Sequence, residues 1–177
     1  MNMGDMNSKV AEIKARFKAV EKTLTKKPWF KKDKWIVSVH CFPNDKSPDA
    51  VTFHVFKKHW YNEDRGGIHV ESFLSLAPKK QKKTYVTLHL LHTPKIPGTD
   101  IKRNRFSEPF VDEIYNDVKK WPGYTFRAGR YGTQPFTKLL DGTLAEFDKV
   151  LTTEVTRICT QLGPVLDKHL NEILMNK

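Results

Sequence analysis

Between Trp35 and His92, apolar and polar residues alternate in four short runs, which is the pattern of β-strands that bury one face. The apolar phase of the four runs comprises Trp35, Val37, Val39 and Cys41; Val51, Phe53 and Val55; Ile68, Val70 and Leu74; and Val86, Leu88 and Leu90. Successive side chains of a strand point to opposite faces, so this phase marks the side of the sheet that covers a core. Each run also places one histidine in the opposite phase, and these histidines are His40, His54, His69 and His89.

The phase that carries the histidines also contains one carboxylate, Glu71, together with serine and threonine hydroxyls. Neighbouring strands lie about 4.8 Å apart, so histidines on adjacent strands come close together if the register allows it. His89 and His92 are three residues apart, and on a continuous strand such residues point to opposite faces. We therefore expect His92 to lie on the other side of the sheet from His89.

Short polar segments rich in turn-forming residues separate the four runs at 43–49, 62–67 and 79–83. Connections of this length join antiparallel neighbours, because a parallel pair needs a long crossover. The sequence therefore predicts an antiparallel meander in which consecutive strands are adjacent.

An amphipathic helix is predicted before the first strand. The apolar residues that recur there at spacings of three and four are Val10, Ile13, Phe17, Val20 and Leu24. This helix is expected to begin near residue 8 and to end ahead of Pro28. Residues 1–8 are expected to be disordered.

Two further helices are predicted after the four runs. Ser107 is a suitable N-cap for the first of them, with Pro109 in its first turn, and residues 121–123 end it with tryptophan, proline and glycine. The last and longest helix spans residues 143–175. It is expected to kink or split at 163–164, where a glycine precedes a proline.

Residues 124–128 and 136–140 are two shorter segments that we interpret as the fifth and sixth strands. The predicted order is then α-β-β-β-β-α-β-β-α within a single domain of residues 1–177. This order indicates an α+β fold, in which an antiparallel sheet of four to six strands has a meander at its core and the helices on one face.

The charge of the chain is strongly and unevenly basic. The formal net charge is +11, and the positive residues concentrate in the segments 1–34, 79–83 and 95–105. A basic surface of this kind favours the binding of anions, from nucleic acid to phosphorylated small molecules.

The cysteine content and the hydropathy bear on location. Cys41 and Cys159 have neither redox nor metal-binding spacing, so we expect buried free thiols and a reducing compartment. No apolar run is long enough to cross a membrane, and the N-terminus lacks the apolar segment of a secretory signal. The expectation is a soluble protein of the cytoplasm.

The four histidines admit three interpretations: an ordinary exposed polar face, a ligand-binding cleft, or a metal centre. Imidazole also suits general acid–base catalysis near neutral pH, and His69 and Glu71 are the candidate catalytic residues. The chain contains no H-x-H or H-E-x-x-H spacing, so the sequence predicts neither a metal nor a cofactor.

A second candidate region follows Gly123. Tyr124 and Phe126 share one strand face, and Arg127 and Arg130 flank them. Aromatic rings can stack on bases while arginines hold phosphates, although a tight glycine turn with core aromatics has the same pattern. The complete set of predicted ligand-binding residues is His40, His54, His69, Glu71, His89, Tyr124, Phe126, Arg127 and Arg130.

The leading functional prediction is a non-enzymatic binding module with a basic surface. It holds an anionic ligand, such as nucleic acid or a phosphorylated small molecule, on the polar sheet face. The first alternative is a hydrolase based on histidine and glutamate, with or without a metal. The second alternative is an interaction subunit that forms a homodimer through its C-terminal helix. The sequence contains no P-loop, dinucleotide-binding or G-x-S-x-G motif, so it predicts none of the functions that these motifs indicate.

Overall fold

The computed structural model describes residues 3–129 and 131–175 of the chain. Its helices are α1 (Met3–Leu24), α2 (Pro28–Lys32), α3 (Pro78–Gln81), α4 (Asn104–Val118), α5 (Phe147–Gln161) and α6 (Gly163–Met175). Its strands are β1 (Trp35–Phe42), β2 (Ala50–Lys57), β3 (His69–Ser75), β4 (Thr84–His89), β5 (Tyr124–Phe126) and β6 (Phe136–Leu140). Among the described residues, no helix combines the length and the apolar character that crossing a membrane requires.

All six strands form one antiparallel sheet in the order β1-β2-β3-β4-β6-β5. The first four strands are sequential neighbours, as the short polar turns predict. After α4, the chain adds the last two strands to the sheet. β6 pairs with β4, and β5 pairs with β6 and forms the edge of the sheet. The predicted α+β class and its antiparallel sheet with a meander core are confirmed.

The apolar phase of the sheet faces the helices. Val37, Val55 and Val70 are cross-strand neighbours in one row of this face. α1 contacts β1 and β2, while α5 contacts β3 and β4. Phe17 of α1 stacks on Phe53 of β2 with ring centroids 5.3 Å apart, and both rings are fully buried. Removing this apolar surface from water stabilises the fold and leaves the other sheet face for the polar residues.

Helix α1 begins earlier than the sequence pattern indicates. It starts at Met3, so the described part of the segment 1–8, for which disorder is predicted, is helical instead. Asp5 lies in the first turn, where a carboxylate interacts favourably with the helix dipole. Met6 packs against the hydrophobic core, which extends the apolar stripe by one turn. Residues 1 and 2 lie outside the described part of the chain.

Helix α4 also begins before its predicted N-cap. It starts at Asn104, and Ser107 is buried inside the helix instead of capping its end. The side chain of Phe106 is fully buried, so the first turn is anchored by the core and not by a local cap. Pro109 then lies inside the helix, where its missing N–H leaves the carbonyl of Arg105 without its usual helical partner.

The C-terminal segment forms two helices. α5 ends at Gln161 and α6 begins at Gly163, where a Cβ would lie only 2.9 Å from the ring of Trp35. The buried apolar stripe of the two helices and their junction comprises Leu151, Val155, Ile158, Leu162, Leu166 and Leu170. The chain covers this stripe by itself, and a homodimer through these helices stays a prediction.

Candidate histidine–glutamate site

Four histidines and one glutamate meet on the sheet face turned away from α1 and α5. We call His40, His54, His69, His89 and Glu71 the histidine face. His54 pairs with Glu71 across β2 and β3, and His69 pairs with His89 across β3 and β4. Ring centroids are 3.8 Å apart between His54 and His69 and 5.0 Å apart between His69 and His89. His40 lies beside His54 at 4.6 Å, so the imidazoles form a continuous row.

The rings of the histidine face are buried. The exposed fraction is 3% for His54, 0% for His69 and 4% for His89. Backbone before β3 and after β4 contacts the rings, since the carbonyls of Gly67 and Leu90 each lie 2.9 Å from a ring nitrogen. The interpretation of these residues as an ordinary exposed polar face is therefore wrong.

The hydrogen bonds of His69 define its tautomer. A carbonyl oxygen can only accept, so Nδ1 of His69 donates to the carbonyl of Gly67. In the neutral form of the ring, this bond leaves Nε2 of His69 with the lone pair. This nitrogen lies 3.5 Å from Oε2 of Glu71 and makes no hydrogen bond to any described residue. Two buried acceptors that face each other are unfavourable unless a proton or another cation lies between them.

The carboxylate of Glu71 is contacted on both oxygens. Oε2 lies 3.3 Å from Nε2 of His54, while Oε1 accepts hydrogen bonds from Tyr85 at 3.1 Å and from Gln134 at 3.4 Å. Burial by itself would raise the pKa of Glu71, but the imidazoles of His54 and His69 outweigh it and hold that pKa well below its usual range. The carboxylate is therefore ionised at neutral pH.

The imidazoles of His40, His54 and His89 are neutral at the same pH. Burial lowers the pKa of His40, His54 and His89 from the usual 6.5 to about 4 in each case. For His54, the hydrogen bond to Glu71 opposes this shift without reversing it. One ionised carboxylate among neutral imidazoles is the protonation state in which such groups accept protons or bind metals.

A fifth histidine, His92, joins the row although its spacing predicts otherwise. Its ring stacks on His89 with centroids 4.1 Å apart. β4 ends at His89, and the N–H of His92 then donates to the carbonyl of Gly66 at 2.9 Å. The prediction that His89 and His92 point apart requires a continuous strand, and it is wrong because the strand has already ended. No periodic signal in the sequence marks this residue.

The two aromatic residues of the second candidate region lie on the helix side of the sheet. Tyr124 is buried, and its hydroxyl donates to Glu154 of α5 at 3.0 Å. Phe126 packs edge-on against Phe136, which is fully buried. The structure therefore places the ring of Tyr124 in the core and the half-buried ring of Phe126 against the core, and it brings neither ring to the histidine face.

An arginine of that region does approach the histidine face. Arg127 donates to Gln134, and the amide of Gln134 lies 3.3 Å from the hydroxyl of Tyr85 as well as near Glu71. Gln134 belongs to the loop between β5 and β6, and no motif in the sequence marks it. Arg130 lies outside the described residues.

A cavity of ≈ 300 Å³ adjoins Glu71. Its lining includes Phe42, Phe73, Tyr85, Asp49, Lys80 and Glu71. Three aromatic rings therefore form much of the cavity wall. The charged groups of the lining are Lys80, Asp49 and Glu71. A larger depression of ≈ 730 Å³ lies at Lys58, Glu63 and Pro97, and its lining contains no residue of the histidine face.

Basic side chains from separate loops surround the same face. The charge of Arg65 adds to burial, the main cause, in lowering the pKa of His54. Arg103 acts in the same way on His92, again after burial, and it donates to the carbonyl of Leu91 at 2.9 Å. Arg65 and Arg103 therefore help to keep the pKa of these histidines low, although lysine dominates the basic residues of the chain.

Comparison with models of known protein families, with curated proteins and with solved structures finds no match for this chain. The proposed function therefore rests on the chemistry of the site and not on similarity to a known protein. A buried carboxylate beside open imidazole nitrogens can hold a cation or transfer protons. The adjoining cavity is large enough to admit a small molecule.

Proposed function

We propose that this protein binds a small anionic ligand in the cavity beside the histidine face. The observation that carries the proposal is a cavity of ≈ 300 Å³ whose walls combine Lys80 with the rings of Phe42, Phe73 and Tyr85, beside the carboxylates of Asp49 and Glu71. Phe42 is 57% exposed although it is a large apolar side chain, so its ring is accessible to a ligand. The net charge of +11 also draws anions towards the surface.

The dimensions of the cavity favour a small molecule over nucleic acid. Ligand pockets in proteins span about 300–1,000 Å³, and this cavity is at the lower end of that range. Single-stranded nucleic acid is bound by exposed aromatic platforms, whereas Tyr124 is buried and Phe126 is half-buried against the core. The proposed ligand places its anionic group at Lys80 and an aromatic or other apolar body between the rings.

Phenyl phosphate is the probe for this site, because it joins an anion to an aromatic ring. Calorimetric titration of chelator-treated protein is expected to show saturable binding of phenyl phosphate, weaker binding of inorganic phosphate and no binding of phenol. Lys80→Gln is expected to weaken phenyl phosphate binding about threefold to fivefold, the effect of one exposed charge. Asp49→Asn is expected to strengthen it about twofold by removing a like charge.

Lys79→Gln is the matched control, because Lys79 is the exposed neighbour of Lys80 in α3 and is not part of the described cavity lining. Its affinity for phenyl phosphate is expected to equal that of the wild type. Equal losses in Lys79→Gln and Lys80→Gln would indicate attraction by net charge alone. Binding of an RNA oligomer with no binding of phenyl phosphate would replace the small-molecule site by a nucleic-acid surface.

A hydrolase is the second candidate, and it is favoured by the position of Glu71 between two imidazoles at the cavity wall. A carboxylate and histidines in contact can activate a water molecule by accepting its proton. Purified protein is then expected to release nitrophenolate from para-nitrophenyl phosphate, and Glu71→Gln is expected to abolish the release. Equal rates in the wild type and in Glu71→Gln would contradict the hydrolase and leave ligand binding as the proposed function.

We also propose a cytoplasmic location. Cys41 and Cys159 are both free and buried, which is typical of structural thiols in a reducing compartment. Subcellular fractionation of the native cells checks this location. Recovery of the protein from an oxidising compartment would contradict it.

A further inference from the structure

We propose that His54, His69 and Glu71 bind one divalent transition-metal ion. Each of the three residues offers a ligand atom, and these atoms all lie within 4.8 Å of one another. Both histidines are buried and the glutamate is half-buried. The ligands come from two strands, so the spacing in the sequence contains no metal motif and only the register of β2 and β3 assembles the site. The metal site does not require an anion in the cavity.

Two of the three separations between the ligand atoms fit a small tetrahedral ion. Oε2 of Glu71 lies 3.3 Å from Nε2 of His54 and 3.5 Å from Nε2 of His69. Bonds of about 2.0–2.2 Å in a tetrahedral site place neighbouring ligand atoms about 3.3–3.5 Å apart. The two observed separations therefore match a bound ion with little movement of the side chains.

Unpaired nitrogen atoms give a second, independent reason. Nε2 of His69 and Nδ1 of His54 are buried and have no hydrogen-bond partner in the described part of the chain. In the neutral ring, Nε2 of His69 carries a lone pair, because the Nδ1–H is donated to Gly67. That lone pair points to a negative carboxylate oxygen, which is unfavourable in a buried site. A cation between the two atoms removes the repulsion and turns both into ligands.

The surrounding hydrogen bonds orient the proposed ligands. Histidines that bind metals usually donate their other N–H to a carbonyl or a carboxylate, and this bond fixes the ring. The carbonyl of Gly67 accepts such a bond from His69. Tyr85 and Gln134 both donate to Oε1 of Glu71, which leaves Oε2 directed at the imidazoles. His69 and Glu71 are thus held in position before an ion arrives.

The donor set selects the class of ion. Two imidazole nitrogens and one carboxylate oxygen suit Zn²⁺, Fe²⁺, Co²⁺ and Ni²⁺, whereas Mg²⁺ and Ca²⁺ prefer oxygen ligands. Three protein ligands leave a fourth position open, as in catalytic zinc sites. Glu71 also lines the cavity, so we place the open position on the cavity side. A divalent ion with one carboxylate carries a net positive charge there, which would attract an anion.

Calorimetric titration of tag-free, chelator-treated protein with Zn²⁺ and with Co²⁺ tests the site. One equivalent of each ion is expected to bind, and Co²⁺ is expected to give visible absorption of a four-coordinate centre. Mg²⁺ is expected to give no saturable binding. Glu71→Gln and His54→Gln are each expected to weaken Zn²⁺ binding about 100-fold or more, because loss of even an outer hydrogen bond weakens metal sites about 10–100-fold.

His59→Gln is the matched control, since it removes an exposed imidazole that lies outside the histidine face and pairs with Asp167. Its Zn²⁺ affinity is expected to equal that of the wild type. Circular dichroism checks that each variant is folded. If Glu71→Gln does not fold, Tyr85→Phe serves instead, with an expected loss of about tenfold from the freed Oε1. Absence of binding at one equivalent, or undiminished binding in Glu71→Gln and His54→Gln, would overturn the metal site.

Metal binding and anion binding can fail separately. The Zn²⁺ titration uses no anionic ligand, and the phenyl phosphate titration uses metal-free protein. Phenyl phosphate binding without a Zn²⁺ site overturns the metal alone. If Zn²⁺ binds but phenyl phosphate binds neither the metal-free nor the Zn²⁺-loaded protein, only the anion site is overturned.

Discussion

Metal-free protein is expected to lose much of its stability as the pH falls from about 6.5 to about 4. Burial holds the pKa of His40, His54 and His89 at about 4 in the folded state, whereas the unfolded chain protonates them near the usual 6.5. The unfolded state therefore binds more protons throughout this interval, and stability declines as the pH falls. Below about pH 4 the folded state takes up the same protons, and this part of the loss levels off.

The expected loss is large relative to the stability of a small domain. A pKa lowered from 6.5 to about 4 corresponds to a loss on the order of 3 kcal/mol for each histidine. The rings contact one another, so the three losses are coupled and do not simply add. Total unfolding free energies are about 5–15 kcal/mol. Glu71 acts in the same direction, because its lowered pKa gives stability that is lost as the pH falls below the usual 4.5.

Urea unfolding in the presence of a chelator, at several pH values across this interval, measures the effect. His89→Gln removes one titrating group, so its stability is expected to decline less steeply between about pH 6.5 and pH 4. His59→Gln, which removes an exposed histidine, is expected to follow the wild type. A free energy of unfolding that stays constant across the interval would contradict the burial of neutral imidazoles.

Gly67→Ala is expected to destabilise the protein by about 3 kcal/mol, the upper range for inserting a methyl group into a packed site. A Cβ at position 67 would overlap the backbone carbonyl of Tyr61 and the backbone nitrogen of Asn62. Backbone cannot rotate away as a side chain can, so the loop before β3 must shift. The carbonyl of Gly67 would move with it, and His69 would lose the hydrogen bond that fixes its tautomer.

Gly66→Ala is the matched control for this substitution. A Cβ at Gly66 would lie 3.3 Å from the side-chain oxygen of Asp64, which can move. Its effect on the free energy of unfolding is expected to stay within about 0.5 kcal/mol, as for most surface changes. Urea unfolding of both variants measures the difference, and NMR of the imidazole nitrogens reports the tautomer of His69. Equal stabilities in the two variants would show that the loop adapts without strain.

Local alternation of apolar and polar residues is enough to predict which residues share each face of the sheet. Alternation has a period of two because of the local backbone geometry, so the phase of His54 or Val55 follows without knowledge of any partner strand. Turn segments such as 62–67 are too short for a parallel crossover, and the meander follows from their length. The α+β class and the order of the first four strands were therefore predictable from local pattern alone, whereas the pairing of β6 with β4 was not predicted.

The ends of the helices were less predictable. Ser107 has the right chemistry for an N-cap, yet α4 begins at Asn104 because Phe106 is buried in the core. α1 reaches back to Met3, and Met6 packs on the same core. Contacts with distant parts of the chain outweigh a local cap at such positions, since burying a large apolar side chain contributes more than one capping bond.

The assembly of the histidine face depends on strand register and on loops that no local pattern specifies. Alternation places His54, His69 and Glu71 on one side, but a different register would separate their ligand atoms. Gln134 and His92 arrive on loops, whose paths carry no periodic signal in the sequence. The ring of His69 is oriented by a carbonyl of the loop before β3, which accepts its Nδ1–H. Such contacts join residues far apart in the chain, and the packing of the whole molecule, not the local pattern, sets their geometry.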